Sequence, residues 1–192
     1  MSIQNTRYLL DTSIISEFSK DSCQQHAGLR IWLTHVPEHA LHVPYGAALE
    51  IERGIVCLRR TNPSKADMLD LWFHELRSKL PFIPMSLSAA RIHAEMTSES
   101  AHRHLWINDP RAKSPGPRQA LAIAATAIAS GSCLVTRNTS DFELVNRYFP
   151  LPGLINPIDH EPSTPPHSAT MPVKSLPASA DPDLDFTLKS AA

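Results

Sequence analysis

Short apolar runs alternate with stretches of helical period over residues 7–158. Arg7, Tyr8, Leu9 and Leu10 predict a strand that runs straight into a helix over residues 12–18. A second helix is predicted over residues 24–35 and a second strand over 41–43. Pro44 then stands in the first turn of a helix, where its missing N–H costs nothing. Ala47, Ile51, Ile55 and Leu58 in that helix recur at spacings of 4, 4 and 3 along one face. Asn62-Pro63 signals another start, with Asn as cap and Pro as first helical residue, and the helix runs to about residue 79. Residues 82–85 predict an edge strand, because Pro84 removes a ladder donor. A further helix is predicted over 88–104, and an Ala-rich one opens at Pro117 and stops at Gly131. Residues 132–135 predict a strand, Ser140-Asp141-Phe142-Glu143 fits a capping box that begins a short helix, and Leu154-Ile155 predicts a last strand. Strands separated by helices need crossover connections, so the expected fold class is α/β with a mostly parallel central sheet.

Composition changes the picture only at the end of the chain. Nine of the 17 prolines fall at or after Pro150. From about residue 159 onward, Pro, Ser and Ala dominate without any period. Such a segment buries too little surface to offset its ordering entropy. The expected organisation is one domain over residues 1–158 and a disordered tail over 159–192. A formal net charge of -1 neither demands nor excludes nucleic acid, so any basic surface must be local. Cys23, Cys57 and Cys133 are too few and too scattered for a disulfide framework or a zinc site. Cys57 and Cys133 sit in apolar stretches and are expected as buried thiols in a reducing, cytoplasmic setting. The longest near-apolar stretch, residues 120–129, is far short of the ~20 residues a membrane helix needs, so no membrane partner is expected.

In an open parallel sheet, ligands gather outside the carboxyl ends of the strands. Asp11 directly follows the first predicted strand, and Asp141 lies six residues beyond Val135. Glu50 lies in the helix after the second strand, beside the Ala47/Ile51/Ile55 stripe. Three carboxylates on one rim repel one another unless a cation sits between them. Mg²⁺ or Mn²⁺ suits such oxygen ligands, activates water and neutralises charge on a phosphodiester. Each acid also has a plainer reading. Asp11 serves as a helix cap, Asp141 as a first-turn acid favoured by the helix dipole, and Glu50 as a solvated residue beside Arg53. Spacing leaves these alternatives open.

The segment LLDTSIISE, the helix ALEIERGI and the run ALAIAATAIASGSCLVTRNTSDFE, in this order, resemble PIN-domain ribonucleases of the VapC toxin type over residues 7–158. The resemblance implies a PIN-like three-layer α/β/α fold and a metal-dependent endoribonuclease of a type II toxin–antitoxin pair. It implies metal-ligand roles for Asp11, Glu50 and Asp141, with Mg²⁺ or Mn²⁺ as cofactor. It also implies that Thr12, Thr136, Arg137 and Asn138 support the acids or the RNA. Implied partners are an RNA substrate, a second copy of the chain and a cognate antitoxin that lays a peptide in the acidic groove. One position departs from the family pattern. The family's third acid stands three residues before its Ile-Ala-Ala-Thr-Ala stretch, and here that position is Ala120. Such a chain is expected to be impaired, whether the exchange is natural or deliberate, and a catalytically silent module that binds RNA or antitoxin is the alternative reading. Asp109 is the nearest substitute acid.

A positive rim for RNA is expected from Arg53, Arg59 and Arg60, from Arg111, Lys113 and Arg118, and from Arg137. Ile14/Ile15/Phe18 and Trp72/Phe73/Leu76 are expected in the core, with contact surfaces as the second reading. His102 and His104 are expected at the surface of a helix end, and no histidine set has metal-site spacing. The first acid is not followed by a D-x-D pattern, as haloacid-dehalogenase chemistry needs, and no P-loop or G-x-G-x-x-G is present.

Overall fold

The computed structural model describes residues 6–107 and 118–158. Asp109, Arg111, Lys113, Pro117 and the tail over 159–192 lie outside the described residues. The strands are β1 (Tyr8–Leu10), β2 (Leu41–Pro44), β3 (Phe82–Ile83), β4 (Cys133–Val135) and β5 (Leu154–Ile155). They form a five-stranded sheet in the order β3-β2-β1-β4-β5, and all of its pairings are parallel. The helices are α1 (Thr12–Ile15), α2 (Ala27–His35), α3 (Tyr45–Arg59), α4 (Pro63–Lys79), α5 (Leu87–Ser98), α6 (Ala120–Ser130) and α7 (Thr139–Tyr148). The architecture is the three-layer α/β/α sandwich expected from alternating strands and helices.

Local chemistry explains most boundaries. Asn62 Oδ1 accepts from Lys65 N at 3.1 Å and Pro63 opens α4. Gly131, at φ 63°, closes α6 in the left-handed region that favours glycine. Pro84 follows β3, which lies at the sheet edge as expected.

Four local expectations are corrected. The predicted helix over 12–18 is α1 followed by a 3₁₀ turn, Ser16–Ser19. The second helix begins at Ala27 rather than residue 24, because His26 Nδ1 accepts Gly28 N at 3.2 Å and caps it there. The helix expected over 88–104 divides at Glu99, whose carboxylate accepts Ala101 N and starts a separate 3₁₀ segment, Ser100–Leu105. The last helix begins at Thr139, with Asn138 rather than Ser140 at its N-cap position. Ser140 Oγ instead donates to Asn138 Oδ1 at 3.0 Å.

Leu9, Leu10, Leu41, Val43, Leu134 and Val135 fill the sheet's share of the core. The first seven residues of α6 after Ala120 are all buried, which accounts for its lack of a polar face. Ile14, Ile15, Phe18, Trp72, Phe73 and Leu76 are buried, as the core reading expected, and Trp72 Nε1 donates to Phe18 O at 3.2 Å. Each such side chain contributes ~1.5–3 kcal/mol on burial. Cys57 and Cys133 are half-buried rather than buried. Desolvation still pushes the Cys133 thiol up to about 11, which keeps it a poor nucleophile. His102 is not at the surface. It is fully buried, with Nδ1 against Met96 O at 3.2 Å and its ring packed on Tyr148 and Phe149. The aromatic residues that cover it come from α7 and its end, so its helix period alone could not show the burial. Among the described residues, no helix is long and apolar enough to cross a membrane.

Candidate active site

The chain runs outward from β1 to β2 and β3 on one side, then crosses back to β4 and β5 on the other. The strand order therefore reverses between β1 and β4, and a doubly wound sheet offers its crevice at that point. Leu10 and Val135 are paired at the ends of these two strands, so the next residues, Asp11 and Thr136, meet at the crevice. Asp11 N donates to Val135 O at 2.9 Å, which ties the turn to the neighbouring strand.

Asp11 occupies the N-cap position of α1, yet its side chain makes no capping hydrogen bond. Its Oδ2 accepts instead from Ser13 Oγ and Thr136 Oγ1, each at 2.7 Å. Burial holds this carboxyl above the usual carboxylate range. The Ser13 and Thr136 hydroxyls and the neighbouring N–H groups of Thr12 and Ser13 pull the other way. Thr136 is itself fully buried and also accepts Asn138 N at 3.0 Å.

Glu50 reaches the same crevice from α3. Its Oε2 accepts from Thr12 Oγ1, and its Oε1 accepts from Gln119 N at 3.0 Å. Desolvation raises its pKa. The Thr12 hydroxyl opposes that rise, the charge of Asp11 adds to it, and Gln119 N–H and Arg118 oppose it. Glu50 is therefore not a solvated helix-face residue. Position 120 follows Gln119, so Ala120 opens α6 one residue from the contact with Glu50. The close approach that allows this contact depends on Gly46. A Cβ there would lie 2.8 Å from Ile123 Cγ1 and 3.2 Å from Gln119 Cβ.

Asp141 belongs to the first turn of α7, and its Oδ2 accepts from Asn138 Nδ2 at 2.6 Å. It joins Asp11 through a relay in which Asn138 N meets Thr136 Oγ1 and Thr136 meets Asp11. Among the described residues, no group of three or more His, Cys, Asp and Glu side chains is placed to hold a metal ion. The donor set thus consists of the Asp11–Glu50 pair, with Asp141 linked to it by hydrogen bonds. Such a pair fits a hard divalent cation. Mg²⁺ commonly takes one or two carboxylates, keeps several waters and completes its sphere with substrate phosphate. The repulsion that Asp11 exerts on Glu50 is of the kind a cation relieves.

Two residues of the LLDTSIISE segment carry roles that spacing did not assign. Ser13 bonds Asp11 and also accepts Arg137 N at 3.2 Å. Glu17 is a buried acid whose Oε1 accepts from Lys20 Nζ at 2.8 Å and Arg137 Nη1 at 2.7 Å. Glu17 stands between Ser16 and Phe18, and this local sequence does not mark it as a buried anchor. Of the expected basic rim, Arg59 is bound to Asp67 and Asp70 at 3.1 and 2.9 Å. Arg118 acts on Glu50, and Arg137 stands beside the Asp11 network.

No family model matches the sequence, and no curated protein matches it. Solved structures do. A chain of FitAcB from Neisseria gonorrhoeae is 22% identical with a TM-score of 0.60, over 80% of this chain and 99% of that one. A chain of VapBC2 from Rickettsia felis, bound to a DNA fragment from their promoter, is 21% identical with a TM-score of 0.54, over 79% of this chain and 98% of that one. A chain of a toxin-antitoxin complex from Klebsiella pneumoniae is 20% identical with a TM-score of 0.50, over 78% and 97%. Together with the five parallel strands and their flanking helices, these similarities show that the chain has the three-layer α/β/α PIN-like fold of the structures it matches.

Proposed function

We propose that this chain is the toxin-type PIN module of a toxin–antitoxin pair, with a metal-dependent endoribonuclease site impaired by Ala120. The observation that carries this reading is the meeting of Asp11, Glu50 and the residue before position 120 at the crevice between β1 and β4. Asp11 and Glu50 would hold Mg²⁺ or Mn²⁺, and Asp141 would add a carboxylate from α7. A cation bound there supplies activated water and neutralises charge on the RNA phosphodiester. The chain's own residues do the rest. Ser13 and Thr136 orient the Asp11 carboxylate, Thr12 and Gln119 N–H orient Glu50, and Asn138 orients Asp141. The burial of Asp11 and partial burial of Glu50 strengthen these hydrogen bonds. The other members of the proposal are an RNA substrate, a cognate antitoxin, a homodimer and a cytoplasmic setting. The toxin–antitoxin character of the matched structures supports the antitoxin.

The test compares this protein with Ala120→Asp on structured RNA, with Mg²⁺ or Mn²⁺ and with EDTA. The expected result is metal-dependent, EDTA-sensitive cleavage by the variant, exceeding that of the parent by orders of magnitude. If neither protein cuts, the proposal of a nuclease fails. The absence of a three-ligand group among the described residues favours a second reading, a silent module that binds RNA or antitoxin. In that case Mn²⁺ binds weakly to the parent by calorimetry, and Ala120→Asp restores affinity without cleavage.

A further inference from the structure

We infer that Glu17 is a positioning residue: it holds the guanidinium of Arg137, a residue of the loop that orients Asp11 and Asp141, so that this group takes an RNA phosphate. The inference rests on the RNA reading above and extends it to an acid outside the metal set. Glu17 is 2% exposed, while the Arg137 side chain it binds is 45% exposed. The pair thus has a buried anchor and an open head. Arg137 is fixed twice. Its Nη1 meets Glu17 Oε1 at 2.7 Å, and its backbone N donates to Ser13 Oγ, the hydroxyl that bonds Asp11. The residues on either side, Thr136 and Asn138, bond Asp11 and Asp141 respectively. The guanidinium therefore belongs to the loop that orients both acids.

Glu17 is itself fixed. Its Oε2 accepts His26 N at 3.2 Å, and its Oε1 is shared with Lys20. One carboxylate faces two cations, so the cluster keeps one positive charge in excess. Anchoring one arm of the guanidinium fork removes side-chain freedom before binding and leaves other N–H groups to face an anion. A guanidinium matches phosphate oxygens in a paired geometry that an ammonium lacks. A phosphate drawn toward carboxylates needs such a counter-charge whether or not a cation is bound.

The sign of one substitution separates this role from bulk electrostatics. If Glu17 acts only through its negative charge, Glu17→Gln tightens RNA binding. If it positions Arg137, the same change weakens binding. The experiment measures anisotropy of a labelled single-stranded oligouridylate in EDTA, over a range of salt, with the full chain. The expected results are losses of about 3–10-fold for Arg137→Ala and a similar loss for Glu17→Gln, with the double variant no worse than Arg137→Ala. Arg137→Ala also lowers the slope of log affinity against log salt by about 0.7. In parallel, the Arg137 Nε–Hε NMR signal without RNA reports ordering. It is expected to be rigid in the parent and mobile in Glu17→Gln. Tighter or unchanged RNA binding by Glu17→Gln, or additive losses in the double variant, overturns the positioning role while the RNA reading stands. A parent protein that fails to bind RNA overturns the RNA reading and the phosphate role with it. An Arg137 signal equally rigid in both proteins overturns the anchoring whatever the RNA result.

Discussion

Gly46→Ala opposes two effects of known size at the contact between α3 and α6. Gly46 is the second residue of α3, where alanine is favoured over glycine by at most about 0.5–1 kcal/mol, the range found in helix interiors. At an open helical site the exchange would therefore stabilise. Here the new Cβ would lie 2.8 Å from Ile123 Cγ1, 3.2 Å from Gln119 Cβ and 3.3 Å from Gln119 O. The first distance is shorter than real contacts allow, and the neighbours are a buried side chain and a backbone oxygen, so relief requires α6 to move. Overpacking of this kind costs about 1–3 kcal/mol. The difference is a net loss of about 1 kcal/mol, or a Tm lower by roughly 2–4 °C for a protein of this size. Denaturant unfolding of Gly46→Ala, Ile123→Ala and the double variant reads the effect directly. Ile123→Ala alone costs about 2–5 kcal/mol. In the double variant part of that cost is returned, because the added methyl enters the space vacated, with a coupling of about 0.5–1 kcal/mol. A Gly46→Ala protein stabilised by the full helix-propensity gain, with additive double-variant energies, would refute the close-approach argument.

Asp11→Asn and Glu50→Gln should stabilise the protein near pH 7, because burial raises the folded-state pKa of both acids. The sign follows from linkage: an acid with a raised folded pKa favours folding below its unfolded value, near 4, and that contribution is lost as pH rises through the folded value. The gain of each amide is thus present at pH 7 and disappears below about pH 4; thermal melts across this range check it, and an equal gain at all pH values would refute it. Thr136→Val keeps the shape of a fully buried side chain but removes a donor to Asp11 and an acceptor for Asn138 N. A loss of about 1–3 kcal/mol in denaturant unfolding is expected. Gly131→Ala meets no atom within 4 Å, so its cost, about 1 kcal/mol by the same assay, comes from the left-handed backbone alone.

Sequence determined the features whose causes are local. Asn62-Pro63 starts α4 because a side-chain acceptor and a preset φ act within one turn. Gly131 ends α6 because its backbone angle is open only to glycine at little cost. The strand-end place of Asp11 and the helical place of Glu50 were legible in the same way. The breaks at His26 and Glu99 were not, since each is made by a side chain that captures a nearby backbone N–H, which apolar spacing does not report. Nor was the burial of His102, which depends on rings from another element.

Only the tertiary structure decided which candidate acids meet. Thr136 and Asp11 are 125 residues apart, Arg137 and Glu17 120, and Glu50 and Gln119 69. Nothing within a turn of any of these residues encodes its partner. They meet because the chain places β4 against β1 and reverses the strand order there, while Gly46 lets α6 approach α3 closely enough for a backbone N–H to reach Glu50. Local propensity fixes where a carboxylate stands on its element; the order of strands and the distance between helices fix what it faces.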